Sequence, residues 1–397
     1  MDRARKNRER QDAIRRGRDD FLAEWKRRKV IPFEEFMAAA LFHQDFGYYS
    51  VRAQDVGAQG DFSTSATLSS DLGKAVAHWL VAESTRIFRW QWNIHIVEVG
   101  AGNGALAESV LRALPLHISV RTKYHIVEKS SPLRDKQQET LRPLTRFPGP
   151  RILWHIDMDS VLKMTNSFCL FSNELVDAFP ASVFRWNSPE PQSQSLKNYP
   201  DPIPPPAESS TQGHWKKLFL RLESDQLFEE WHQISRHELQ SITSIAEPSG
   251  WNGHGPRQNQ RCEVHFSFRE WLHAWVPRVR SLSMLTIDYG DLFPYLYKHH
   301  PAGTLRSYFR HNRFTGNDIY KNIGAQDITC DVNFTDLKLW GQELDLHSEP
   351  VINQSQFFHS RVPSHNPDPA NPESQATEFL TNPAGAGHAF KVLIQRK

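Results

Sequence analysis

The chain has 397 residues and a mass of 45.9 kDa, and its 47 Lys+Arg against 45 Asp+Glu leave a formal net charge of only +2. That balance argues against binding nucleic acid by bulk charge, and a mean hydropathy of −0.57 with no run of 18 apolar residues argues against a membrane-spanning helix. The 12 Trp and 24 Phe rule out a wholly disordered chain, while the three cysteines (Cys169, Cys262, Cys330) form no Cys-x-x-Cys pair, no His-Glu-x-x-His occurs, and neither a disulfide framework nor a metal site is expected. In chain order, residues 1–29 mix Lys and Arg with acids. Such a stretch is too acidic for a transit peptide and has no apolar core for a signal peptide, so a solvated mixed-charge helix is expected, with a partner-docking arm as the sharper alternative. By that default the protein is cytoplasmic, or in the mitochondrial matrix if the chain is eukaryotic.

Strands are expected at Ile94–Val99, Tyr124–Glu128, Ile152–Ile156, Phe168–Ser172, Met284–Asp288 and Phe390–Gln395, because each is a short apolar run rich in β-branched or aromatic residues. Between them, Ala105–Leu114 carries Leu106, Val110 and Leu114 at helical spacing, and Ser131 followed by Pro132 opens a further helix. Strand–helix alternation implies an α/β fold with a mostly parallel sheet, whose ligands sit at the carboxyl ends of the strands. Residues 187–213, with seven prolines, and residues 247–260 read as loops.

The first strand runs into Glu98-Val99-Gly100-Ala101-Gly102-Asn103-Gly104. Three alternating glycines let the backbone turn sharply and approach a ligand, and the helix that follows offers free N–H groups. The degenerate Gly-x-Gly-x-x-Ala pattern would admit a dinucleotide. Glu98, however, would oppose a pyrophosphate and suits the ammonium group of S-adenosylmethionine, which the turn therefore favours. Glu128, ending the second strand, can accept ribose hydroxyls of either cofactor. Asp157, after the third strand, can accept from an adenine amino group.

The fourth strand leads into Asn173-Glu174-Leu175-Val176-Asp177-Ala178-Phe179-Pro180. With this motif the chain resembles the MidA-like family of class I S-adenosylmethionine-dependent methyltransferases, which includes the mitochondrial complex I assembly factor that methylates a protein arginine. Matches in the same order are Ile31-Pro32-Phe33-Glu34-Glu35-Phe36-Met37, Gly47-Tyr48-Tyr49, Gly60-Asp61-Phe62-Ser63-Thr64-Ser65, Ile287-Asp288-Tyr289-Gly290, Gly303-Thr304-Leu305-Arg306, Gln326-Asp327-Ile328-Thr329 and Phe390-Lys391-Val392-Leu393. Where the family usually continues Thr-Ser with Pro-Glu, this chain has Ala66-Thr67.

The resemblance implies a Rossmann-like, mostly parallel seven-stranded sheet with an N-terminal helical cap and an inserted acceptor-side subdomain. It divides the chain into a charged leader (1–29), a cap (30–90), a cofactor-binding core (91–186), a proline-rich insertion with the acceptor-side subdomain (187–280) and a C-terminal completion of the sheet (281–397). Gly60, Asp61 and Thr64 join Glu98, Gly100, Gly102, Gly104, Glu128 and Asp157 as cofactor-binding residues. The acceptor implied is a protein side chain, plausibly an arginine of a respiratory-complex subunit. A guanidinium is cationic, so it needs carboxylates to hold it and to take its proton. Glu174 and Asp177 fit that task, and Asn173 can orient an N–H. Asp177 could equally cap a helix, and Asp288, which with Tyr289 would line the acceptor side, could equally be a buried acid satisfied by backbone donors. Two other functions compete: a methyltransferase-like assembly factor without chemistry, and an NAD(P)-dependent oxidoreductase.

Overall fold

The computed structural model describes residues 2–52, 70–89, 91–145, 148–188, 213–224, 226–241, 243–246, 248–251, 255–310, 312–362, 372–382 and 385–397. The cofactor-binding residues expected at Gly60, Asp61 and Thr64, and most of the proline-rich stretch, lie outside them.

All six residues of the Ile94–Val99 strand are buried, as continuous β-branched runs should be in a sheet covered on both faces. Across the sheet the order is His347–Ser348, Phe390–Arg396, Ser281–Asp291, Ser167–Asn173, Ile94–Val99, Thr122–Val127, Arg151–His155. Ile94–Val99 pairs in parallel with both Thr122–Val127 and Ser167–Asn173, and the latter pairs in parallel with Ser281–Asp291. Side chains alternate between two cores. Val97, Val99, Phe168, Leu170 and Met284 lie in one, and Ile94, Ile96, Cys169, Phe171, Leu285 and Ile287 in the other. The second core is closed by helices Asp71–Ile87 and Ala105–Ala113, the latter burying Leu106, Ala107, Val110 and Leu111.

Three expectations need correction. The sheet has nine strands and is mixed, because Phe390–Arg396 runs antiparallel to Ser281–Asp291 and two-residue strands at Val332–Asn333 and Ile352–Asn353 add to it. Two residues carry no periodicity from which a strand can be read. The helix Ser131–Leu141 is capped by Ser130, whose Oγ accepts from Leu133 N–H, and not by Ser131. The stretch 247–260 contains a 3₁₀ turn, Pro248–Trp251, that buries Trp251 against Trp215, Phe293 and Tyr297.

A second, antiparallel sheet orders Val30–Pro32, His214–Glu223, Ser182–Asn187 and Arg261–Val264, with Gln226–Gln233 on the other edge pairing of His214–Glu223. A boundary at residue 186 falls inside one of its strands. Helix Phe33–Phe42 packs on this sheet with Leu218, Leu220 and Leu222. The charged N-terminal helix Asp2–Arg28 is solvated over residues 11–20, but its end is anchored: Trp25 is buried against Phe36 and donates from its indole N–H to Leu220 O at 3.2 Å. A three-stranded sheet, Arg306–Phe309, Asn312–Phe314 and Asp327–Thr329, stands beside the carboxyl ends of the central strands. No described helix is long and apolar enough to cross a membrane.

Candidate active site

Gly100, Gly102 and Gly104 all adopt positive φ, at 71°, 54° and 87°. Side chains rarely tolerate that region, which accounts for glycine at each position. A Cβ on Gly100 would lie 2.8 Å from Leu175 Cδ1, whereas one on Gly102 would meet no atom of the described residues within 4 Å. The turn is held from behind by the helix Ser131–Leu141: Gln137 Nε2 donates to Gly102 O at 2.9 Å and Thr140 Oγ1 to Asn103 O at 2.9 Å. Asn103 Oδ1 in turn accepts from Ala105 N–H, at 3.0 Å, at the start of the next helix. Gln137 and Thr140 escaped the sequence reading, although their i,i+3 spacing on the helix after the second strand places them on one face.

Glu98 is buried beneath the turn, where Tyr124 O–H donates to its Oε2 at 2.6 Å. Burial, offset by that hydrogen bond and reinforced by Glu128, raises its pKa to about 7. Glu128 is half-buried. Its Oε1 accepts from Ser130 N–H at 2.9 Å and its Oε2 from Gln137 Nε2 at 3.3 Å, and burial raises its pKa too. The structure therefore brings Glu98, Glu128 and the three glycines together. Asp157 stands apart as an exposed helix cap, accepting at Oδ1 from Ser160 N–H (2.8 Å) and Oγ–H (2.7 Å), which hold its pKa down.

The ionisation of Glu98 has a measurable cost. A carboxyl whose folded pKa is raised stabilises the fold fully below its unfolded value near 4.5, and that stability is lost as pH rises through about 7. At ~1.4 kcal/mol per unit the loss is roughly 3 kcal/mol. Glu98→Gln keeps an acceptor for Tyr124 but never ionises. Without cofactor it should be about 3 kcal/mol more stable than wild type at pH 8 and equal at pH 4.5, by urea unfolding. An identical difference at both pH values would contradict this account.

On the other side of the turn, Glu174 follows the central strand with φ 51°, its N–H donating to Ile287 O at 2.9 Å. Asn173 Nδ2 donates to Glu174 Oε1 at 3.1 Å. Asp288 is the backbone bracket of the two readings weighed: its Oδ2 accepts from the N–H groups of Leu175 (3.1 Å), Val176 (2.9 Å) and Asp177 (3.4 Å). Asp177 is not a helix cap. The cap position is Leu175, and the buried Asp177 carboxylate instead accepts from Tyr289 O–H and, at 2.7 Å, from Thr329 Oγ1. Around it lie groups to which the sequence reading gave no chemistry. Tyr49 O–H donates to Asp327 Oδ1 at 2.9 Å, Arg306 pairs with Asp331 at 2.6 Å, and the Arg306 guanidinium lies 4.7 Å from the Tyr289 ring centroid. Burial and the neighbouring Asp177 raise the pKa of Asp327 to about 7. Thr329, Asp327 and Arg306 belong to motifs quoted above for the resemblance, so the signal was in the sequence without its geometry.

A parallel-centred sheet with a glycine turn at its first strand, two acids beneath and beside that turn, and a cluster of buried acids near it form the frame that an α/β methyltransferase uses. A family profile described as "Putative S-adenosyl-L-methionine-dependent methyltransferase" matches residues 75–351. The chain belongs to that family of S-adenosyl-L-methionine-dependent methyltransferases, the MidA-like family its motifs indicate, and S-adenosylmethionine is its cofactor. The dinucleotide reading is thereby set aside. The chain is 25% identical over 403 residues to the mitochondrial protein arginine methyltransferase NDUFAF7 homolog of Drosophila melanogaster, covering 91% of this chain and 80% of the fly protein. It is 29% identical over 181 residues to that of Caenorhabditis elegans, covering 40% of this chain and 41% of the nematode protein. A crystal structure of a Burkholderia thailandensis protein bound to S-adenosyl-homocysteine superposes with a TM-score of 0.76 at 22% identity, over 97% of this chain and 94% of that one, so the two share a fold.

Proposed function

We propose that this methyltransferase acts on a protein side chain, with an arginine nitrogen as the acceptor. The observation that carries the reading is the contact between the glycine turn and the Glu174–Asp177 turn, through Gly100 and Leu175, which sets carboxylates beside the cofactor position. The names of the relatives supply the acceptor class. Glu98, Gly100, Gly102, Gly104 and Glu128 would hold the cofactor. Asp157, whose capping bonds both fall on Oδ1, has Oδ2 for an adenine amino group. Gly60, Asp61 and Thr64 complete the set by resemblance. The seven strands on the main path of the nine-stranded sheet read as the class I arrangement, with the antiparallel sheet as an acceptor-side unit and the N-terminal segment as a cap.

The bound sulfonium supplies an electrophilic methyl group: an N–C bond forms as the S–C bond breaks onto sulfur, and the acceptor nitrogen gives up a proton. The chain's own part is alignment and charge. Glu174 and Asp177 hold a cationic acceptor, and Asn173, tied to Glu174, orients an N–H. The backbone at Glu174 sits in a conformation that costs about 1–3 kcal/mol, maintained by the Ile287 carbonyl and by the Asp288 bracket on the residues that follow. S-adenosylmethionine should bind saturably in calorimetry and NADH should not. With tritiated S-adenosylmethionine and an extract of cells lacking this chain, hydrolysed protein should yield labelled methylarginine. Label in lysine alone, or in no protein, would overturn the reading.

A further inference from the structure

Asp177 and Asp327 come from different elements, one from the turn after the central strand and one from the three-stranded sheet. Their neighbours' charges are already committed. Asp331 takes Arg306, and Asp288 takes three backbone amides. Asp177 and Asp327 are met by hydroxyls: Tyr289 and Thr329 for the first, Tyr49 for the second. Asp177 is 5% exposed, and its Oδ1 is buried with no hydrogen-bond partner among the described residues. A buried carboxylate oxygen without a donor carries an uncompensated desolvation cost, which a donor from an arriving cation would recover.

Resting on the function proposed above, we propose that Asp327 is a further catalytic carboxylate, which with Asp177 receives the N–H groups of the cationic acceptor and takes up the proton released as the methyl group arrives. The planar guanidinium presents several donors in fixed directions, so two carboxylates from different elements suit it better than one. The proton leaves the acceptor nitrogen and lands on the carboxyl pair, while the electron pair of the broken bond stays on sulfur, so charge balances. Tyr49 is a positioning residue. Its O–H fixes Asp327, while its carbonyl accepts from Ser130 Oγ at 2.8 Å, beside Glu128 on the cofactor side. The groups facing Asp327 are Tyr49 from the N-terminal segment, Asp177 from the turn after the central strand, and Arg306 and Tyr308 from the adjacent strand. Asp327 is held near pH 7, where it can both accept and release a proton.

The test uses tritiated S-adenosylmethionine, the extract of cells lacking this chain, and the full-length protein. Asp327→Asn should cut methylarginine formation at least 100-fold, a loss on the scale of removing a general base, while cofactor binding by calorimetry stays within about threefold. Tyr49→Phe should keep a measurable rate but move its rising limb to higher pH, because loss of the donated hydrogen bond raises the Asp327 pKa. A wild-type rate in Asp327→Asn would overturn the proposal and leave the arginine reading standing, as would an unmoved pH profile in Tyr49→Phe should Asp327→Asn fail to fold. Cofactor binding by wild type with no labelled arginine would overturn both.

Discussion

Gly102→Val should abolish S-adenosylmethionine binding, with a loss beyond 100-fold in calorimetry, in a protein that still folds. At φ 54° a β-branched residue pays about 1–3 kcal/mol. Among the described residues its Cβ would meet no atom within 4 Å, so they add little to that cost. What the side chain does occupy is the concave side of the turn, where the backbone must approach the cofactor. The loop has little freedom to move aside, because Gln137 holds the Gly102 carbonyl and Thr140 the next one. Gly100→Val makes the contrast. Its Cβ would press on Leu175 Cδ1 at 2.8 Å and displace the turn that carries Asp177, so that variant should lose both binding and several degrees of melting temperature. Wild-type affinity in Gly102→Val, or equal thermal losses in the two variants, would show that the turn does not receive the cofactor as argued.

The contrast between these glycines also shows what a sequence can carry. The six long strands of the central sheet were legible because each is a continuous apolar run, and the structure moves their ends by no more than three residues. The turn was legible because three glycines between a strand and a helix have few other uses. The acceptor side was legible only in part. Asn173, Glu174 and Asp177 follow a strand, where an open α/β sheet puts its ligands. Tyr49 and Asp327 are 278 residues apart, and nothing local in either segment announces that they meet. The antiparallel sheet was illegible for the same reason. It recruits Val30–Pro32 and Ser182–Asn187 to strands some distance away in sequence, so a reading by contiguous segments must cut it. Asp288 illustrates a different limit: an acid after a central strand looks catalytic, and only the three amides converging on it reveal a bracket.

A row of three histidines crosses the sheet, and protonating it should cost stability in mild acid. His95, His125 and His155 lie on adjacent strands and are all buried. His95 Nδ1 meets His125 Nε2 at 2.9 Å, and His125 Nδ1 meets His155 Nε2 at 2.9 Å. A neutral imidazole offers one donor and one acceptor, so three rings satisfy one another only if all point the same way along the row. Protonating the middle ring turns both its nitrogens into donors and adds a charge where burial already opposes one. Burial accordingly lowers His95 to about 4 and His125 to about 3, and lowers His155 as well. For a histidine whose folded pKa is depressed, stability is fully present above the unfolded value near 6.5 and is lost as pH falls below it. At pH 5 each of His95 and His125 is 1.5 units below that value, so at ~1.4 kcal/mol per unit the two together cost about 4 kcal/mol. Glu98 and Asp327, with raised values, change in the opposite sense over the same range, which is why a difference between variants is the cleaner measure. His125→Gln keeps a donor and an acceptor in the row but cannot take the charge. Whatever its stability at pH 7.5, it should lose about 2 kcal/mol less than wild type on going to pH 5, by urea unfolding at both pH values. Parallel losses in the two proteins would mean that the middle ring is protonated in the folded state, and that the row is no barrier to acid.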